Sequence, residues 1–436
     1  MANQKRDLLD DLIDIQSDWQ ALSNPFGDIA DSLAADPSQR KVFNPADYKE
    51  KPFANSNRCL CTASGRDDAC TRCLDVCPVN AIEIHKQSVI IGDDCRKCGL
   101  CAAACPTETI STRRHMPRQV YDKIARAASA YEHCYVTCTR ALKRLPKDNE
   151  IVLGCVGAIS RDLWFSLMAD YDNISVYLPV GICDRCKTTT GEEFYCDAIG
   201  TAEEWAQASL GLVADESEMT HELTREYKRS QFMSSAVHSA ERLLTRTNPA
   251  LAGAKAVANK ISAHASRLDQ LQRTLEGAVG AKTSNNRQRM LTQNRKLVMG
   301  ALQHDEGLAK FIDLTAPVCD ASKCTMCGDC AKVCTTRALD LDVNGHITIQ
   351  ASYCVSCGAC VKVCEDGALA MEPMDVTELI VPDPAAEELA RKKAQAKAEA
   401  QKYIEQGKKQ LSRAADVLEG LGESDSGAND SKTSKK

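Results

Sequence analysis

Several features that would mark particular classes of function are scarce or missing in this chain of 436 residues. No uninterrupted apolar run approaches the roughly 20 residues of a spanning helix, so no membrane span is expected. The opening Met1-Ala2-Asn3-Gln4-Lys5 lacks the apolar stretch of a secretory leader, and a cytoplasmic location is expected. Aromatic residues make up only 5% of the chain, so its helices must pack on Leu, Ala, Ile and Val. A net charge of −6 points to no particular partner and speaks against nucleic acid. No Gly-rich nucleotide fingerprint, flavin site or serine–histidine constellation stands out, which leaves no specific enzymatic centre on the face of the sequence.

Cysteine is what the chain has in excess. Its 24 cysteines fall in short-gap runs rather than being spread through a small scaffold. That pattern reads as metal binding in a reducing compartment, not as a disulfide framework. The clearest run is Cys-x2-Cys-x2-Cys-x3-Cys, written twice: Cys324, Cys327, Cys330 and Cys334, then Cys354, Cys357, Cys360 and Cys364. Soft thiolates suit iron–sulfur centres, and a [4Fe–4S] cubane needs one on each iron. Two-residue gaps let consecutive side chains converge, and Gly328 and Gly358 allow the backbone close to the sulfurs. A pair of zinc sites is the competing reading of the same donors.

These residues resemble a bacterial two-cluster ferredoxin domain, a pseudo-twofold α+β unit. The resemblance implies that the fourth cysteine of each run crosses to the other cluster. One cubane would take Cys324, Cys327, Cys330 and Cys364, and its twin Cys354, Cys357, Cys360 and Cys334. Such domains place proline after the fourth cysteine, whereas here Thr335 and Glu365 follow, a departure that touches the turn and not the ligands.

A second unit occupies residues 58–116. Cys95, Cys98, Cys101 and Cys105 are regular, with Gly99 in the loop. Cys70, Cys73 and Cys77 keep the frame, but Asp67 stands where the first cysteine belongs. Cys59 or Cys61 could loop in, and Cys61 is preferred because it closes the shorter loop. One cluster is then expected on Cys61, Cys70, Cys73 and Cys105, the other on Cys77, Cys95, Cys98 and Cys101. An aspartate-ligated or three-iron cluster is the alternative. Strand pairs are expected at 81–84 with 88–91 and at 339–341 with 346–349. The duplication makes the whole chain resemble the bacterial polyferredoxins, which implies four [4Fe–4S] clusters.

Between the two units, residues 125–213 read as strand, helix, strand in a small α/β domain with a parallel sheet. Cys138, Cys155, Cys183 and Cys186 fall at the carboxyl ends of its strands, where open α/β sheets place ligands. The stretch is similar to the small iron–sulfur delta subunits of methanogen-type hydrogenases, which also carry a Cys-Gly-type turn between strand and helix. Three readings stand: a metal site holding zinc or a further iron–sulfur cluster, a redox dithiol at Cys183 and Cys186, or plain buried cysteines. Cys134 and Cys196 lie in the same stretch, and His133 could replace one thiolate.

The remaining segments are an amphipathic helix and linker at 1–57, a helical region at 214–312 and the later ferredoxin-type unit at 315–374. A charged helix at 382–420 and a disordered tail at 421–436 follow. The fold class is α+β, and the helices offer a surface for assembly. Cys319 fills no evident vacancy and is expected to be a free thiol. These parts suggest a non-catalytic electron-transfer subunit that relays single electrons between protein partners such as dehydrogenase, hydrogenase or reductase subunits. The alternatives are a redox enzyme fed by the clusters, with its active site in the middle domain, and a subunit whose clusters only stabilise the fold.

Overall fold

A computed structural model describes residues 42–225, 227, 250–381 and 391. The expected N-terminal helix, the charged helix after Pro382 and the tail lie outside the described residues, apart from Arg391. Twelve strands are present among them: β1 (Phe53–Ala54), β2 (Ile82–His85), β3 (Ser88–Ile91), β4 (Ile110–Ser111), β5 (Cys134–Cys138) and β6 (Glu150–Leu153). After these come β7 (Ile174–Tyr177), β8 (Gly211–Val213), β9 (Thr315–Cys319), β10 (Leu339–Leu341), β11 (Ile347–Ile349) and β12 (Leu369–Pro373).

Each ferredoxin-type unit is built from two small antiparallel sheets and short helices. In the first, β2 pairs with β3 and β1 with β4; in the second, β10 pairs with β11 and β9 with β12. The cysteine loops run between these ribbons. The two units share one apolar core. Leu60, Ala69, Ile82 and Val89 from the first meet Val333, Leu339, Ala359 and Leu369 from the second. Polar ties cross the same seam: Arg66 donates to the Lys362 carbonyl at 3.2 Å, and Lys362 Nζ donates to the Asp68 and Ala69 carbonyls at 3.1 and 3.3 Å.

The middle segment is a parallel sheet in the order β6-β5-β7-β8. Its centre, β5, is buried along its whole length, as parallel strands covered on both faces are. The helix Pro117–Ala130 starts with proline in its first turn and buries Val120, Tyr121, Ile124, Ala127 and Ala128, a 3.6-residue stripe. Ser160 caps the next helix, Arg161–Asp170, accepting from the Leu163 amide at 3.3 Å.

The helical region adds Ala250–Val279 and Gln293–His304. Leu268, Leu271 and Leu275 are buried, and they belong to the same apolar core as the sheet. A Cβ at Gly300 would come within 2.4 Å of Leu268 Cδ2, which shows how closely the two helices approach. The segment therefore packs as a covering layer on the α/β unit.

Candidate metal centres

Three of the cysteine loops repeat one backbone device. Lys97 and Gly99, Met326 and Gly328, and Ser356 and Gly358 all take positive φ between the loop cysteines. Alternating left-handed residues turn successive amides inward, and thiolate sulfurs accept them. The amides of Leu100, Ser356, Ala359 and Arg72 donate to Cys98, Cys354, Cys357 and Cys70, each two residues back. The crossing cysteines show a second pattern. Ala81, Thr109 and Ala368 donate to Cys77, Cys105 and Cys364, four residues back, at 3.3, 3.2 and 3.2 Å.

Several of the loop sulfurs lie near one another. Cys101 lies within electrostatic reach of Cys98, Cys95, Cys73 and Cys77; Cys360 within reach of Cys357, Cys334 and Cys354. Cys330 neighbours Cys327 and Cys324. Burial pushes the free thiols of Cys73 and Cys360 up to about 12, so a metal is what would hold them as thiolates. Among the described residues no three His, Cys, Asp or Glu groups gather tightly enough for a single metal ion.

The irregular loop is where the geometry departs from expectation. Cys61, the expected fourth ligand, donates through its Sγ to the Asp67 and Cys70 carbonyls at 3.5 and 3.2 Å and also lies within hydrogen-bond reach of the Cys59 side chain. Burial holds this thiol protonated, pushed up to about 11. Cys59 instead lines one small cavity together with Cys70, Cys73 and Cys105. The reason is the helix Leu60–Ser64: Cys59 sits at its N-cap while Cys61 is on its buried face. Asp67 is exposed. Cys319, expected to be a free thiol without a vacancy, is a free cysteine hydrogen-bonded to the Cys324 side chain and lies near Cys364.

In the middle segment, Cys138, Cys155, Cys183 and Cys186 line one cavity of about 300 Å³ at the carboxyl edge of the sheet. Cys155 follows β6, and Cys183 and Cys186 lie in the loop after β7. The Gly157 amide donates to Cys155, again two residues back, and the Arg140 and Ala141 amides donate to Cys138. Cys98 of the first ferredoxin-type unit lines the same cavity, with Lys49, Arg96, Arg140 and Lys187 around it. The two loops meet at their backbones, since a Cβ on Gly154 would come within 2.6 Å of the Lys97 carbonyl oxygen. The other candidates stand elsewhere. Cys134 is buried at the opposite end of β5, His133 stacks on Tyr135, and Cys196 is exposed on the helix Gly191–Ala206.

Comparison with known proteins decides what these loops are. A family model for the 4Fe-4S dicluster domain matches residues 66–109 and again residues 323–368. A ferredoxin of Methanothermococcus thermolithotrophicus is 35% identical over 46 residues, 10% of this chain and 77% of the relative. An uncharacterized ferredoxin of Methanocaldococcus jannaschii is 37% identical over 43 residues, 9% of this chain and 69% of the relative.

The chain belongs to the ferredoxin-type iron–sulfur proteins.

It is thus a metal-binding electron-transport protein with two 4Fe-4S dicluster domains of mixed helix and strand. No solved structure matches the chain significantly. Among the described residues no helix is long and apolar enough to cross a membrane. The ferredoxin-type matches leave the middle and helical segments uncovered, so those rest on their own geometry.

Proposed function

We propose that this protein is a single-electron relay whose four cubanes act as one chain of centres rather than two separate pairs. The observation that carries this is the shared core of the two units, at whose seam Arg72 lies within electrostatic reach of both Cys70 and Cys357. When bound, each cubane takes up and returns one electron with little rearrangement. The chain supplies the spacing, the N–H donors to sulfur and the exclusion of water. The ligand sets we assign are Cys59, Cys70, Cys73 and Cys105; Cys77, Cys95, Cys98 and Cys101; Cys324, Cys327, Cys330 and Cys364; and Cys334, Cys354, Cys357 and Cys360.

Cys138, Cys155, Cys183 and Cys186 form a fifth centre in this reading, an iron–sulfur cluster or zinc, joined to the relay through Cys98. Their common cavity and the amide donors to Cys155 and Cys138 support it. The size of that cavity, about 300 Å³, favours one second reading, a small-molecule redox site fed by the clusters. The partners are proteins that deliver and remove single electrons, of the dehydrogenase, hydrogenase or reductase kind, and the relay works in the cytoplasm.

The test is a reductive titration of anaerobically prepared full-length protein, followed by EPR. Interacting [4Fe–4S]⁺ signals are expected. Clusters that resist reduction at every accessible potential would make them structural, and a colourless protein without acid-labile sulfide would end the reading. Metal content of Cys155→Ser in the full chain decides the fifth centre: iron or zinc should fall while the cubane signals persist.

A further inference from the structure

One charged side chain stands in a place that is unfavourable on three counts. Arg295 is only 3% exposed. It is the third residue of the helix Gln293–His304, whose Thr292 cap accepts its amide at 3.3 Å. That end of a helix carries positive partial charge and disfavours cations. Its guanidinium stays charged at any working pH, so burial cannot be relieved by losing a proton. The acid it feels most strongly, Asp162, is paired with Arg161 at 3.2 Å. Its Nε has no hydrogen-bond partner among the described residues. A buried charge in that state needs a compensating anion close by.

The hydrogen bond it does make is to the backbone of a cysteine. Arg295 Nη2 donates to the carbonyl oxygen of Cys354 at 2.6 Å. Cys354 in turn lies within electrostatic reach of Cys334, and both face Cys357 and Cys360. A cubane on four thiolates is an anion in both oxidation states and becomes more negative by one charge on reduction. A fixed cation beside it in a poorly solvated surrounding favours the reduced form.

We propose that Arg295 is a positioning residue for charge, set beside Cys354 to raise the reduction potential of the centre held by Cys334, Cys354, Cys357 and Cys360. One electron arrives from a neighbouring cubane, no proton moves, and Arg295 keeps its charge throughout. The centre next to the seam between the two units then holds an electron more readily than it would without this charge. This rests on the relay reading above.

The experiment is an EPR-monitored redox titration of the full-length protein, with iron and sulfide measured on the same samples. The signal altered in Cys360→Ser identifies the centre. Arg295→Gln keeps a donor for the Cys354 carbonyl but removes the charge. It should weaken reduction of that centre about tenfold, which is about 59 mV to lower potential for one electron. The other centres should move less. Arg295→Lys should hold close to the native potential. If Arg295→Gln does not fold, Arg295→Met removes the buried charge together with the donor to the Cys354 carbonyl and should show the same drop. Fully loaded neutral variants with an unchanged potential, or a lysine variant that drops like the glutamine one, would overturn the inference. A native protein without reducible cubanes would instead defeat the relay reading.

Discussion

Replacing Cys59 and Cys61 one at a time separates two cysteines that stand two positions apart in sequence and make different contacts in the fold. Cys59 lines the cavity of Cys70, Cys73 and Cys105, whereas the Cys61 thiol donates to two backbone carbonyls. Cys59→Ser should therefore remove one thiolate from one cubane. Four cubanes hold about sixteen iron atoms, so conversion to a three-iron form removes about one in sixteen, and loss of the cubane about a quarter. Cys61→Ser keeps a hydroxyl that can donate to the same carbonyls. It should cost about 1 kcal/mol or less in stability and leave the iron content unchanged. The assays are iron and sulfide analysis of anaerobic protein, with EPR of the oxidised state for a three-iron signal. Iron loss from Cys61→Ser together with full loading of Cys59→Ser would refute the assignment.

Two further predictions test the contacts around the sites. Gly154→Ala would drive a Cβ to 2.6 Å from the Lys97 carbonyl, where the middle segment meets the loop of Cys98. It should destabilise the protein by about 1–3 kcal/mol and perturb the EPR signal of the centre that includes Cys98, and unchanged denaturation would argue against that docking. His264 stacks on Tyr121 with ring centroids 4.6 Å apart. Burial, with positive charge from Arg118, Arg267 and His304, holds its pKa down at about 4 against the usual 6.5. Between those values the unfolded chain binds more protons than the native one, so stability is fully present above about 6.5 and lost as pH falls toward 4. The slope from this residue is at most about 1.4 kcal/mol per pH unit. His264→Phe should flatten it, measured as the difference between the two proteins in anaerobic denaturant titrations at neutral and mildly acidic pH. An identical pH response would show that His264 titrates normally.

The loops of Cys95–Cys101, Cys324–Cys330 and Cys354–Cys360 were legible because their chemistry is local. Spacing and a permissive glycine suffice to bring neighbouring sulfurs together, and the hairpins beside them pair strands only a few residues apart. The strand Cys134–Cys138 was not placed, since burial on both faces leaves no alternation and a run of five residues is too short to stand out, although its Tyr, Val and Thr suit a strand. The helix Pro117–Ala130 escaped for a related reason, its buried stripe being built largely of alanine. Arg295, between Asn294 and Lys296, reads as surface; only the layers packed above it make it a buried charge.

By itself the amino-acid order determined the donor chemistry: thiolates in groups, two short modules, and four cysteines waiting at strand ends. Only the folded chain decided that Cys59 lines the cavity of Cys70, Cys73 and Cys105, that the two modules share a core, and that Cys98 lies beside the middle cavity. The physical reason is range. Ligand spacing is set within a few residues, while the direction of a side chain at a helix start and the meeting of two modules depend on apolar surfaces far apart in sequence.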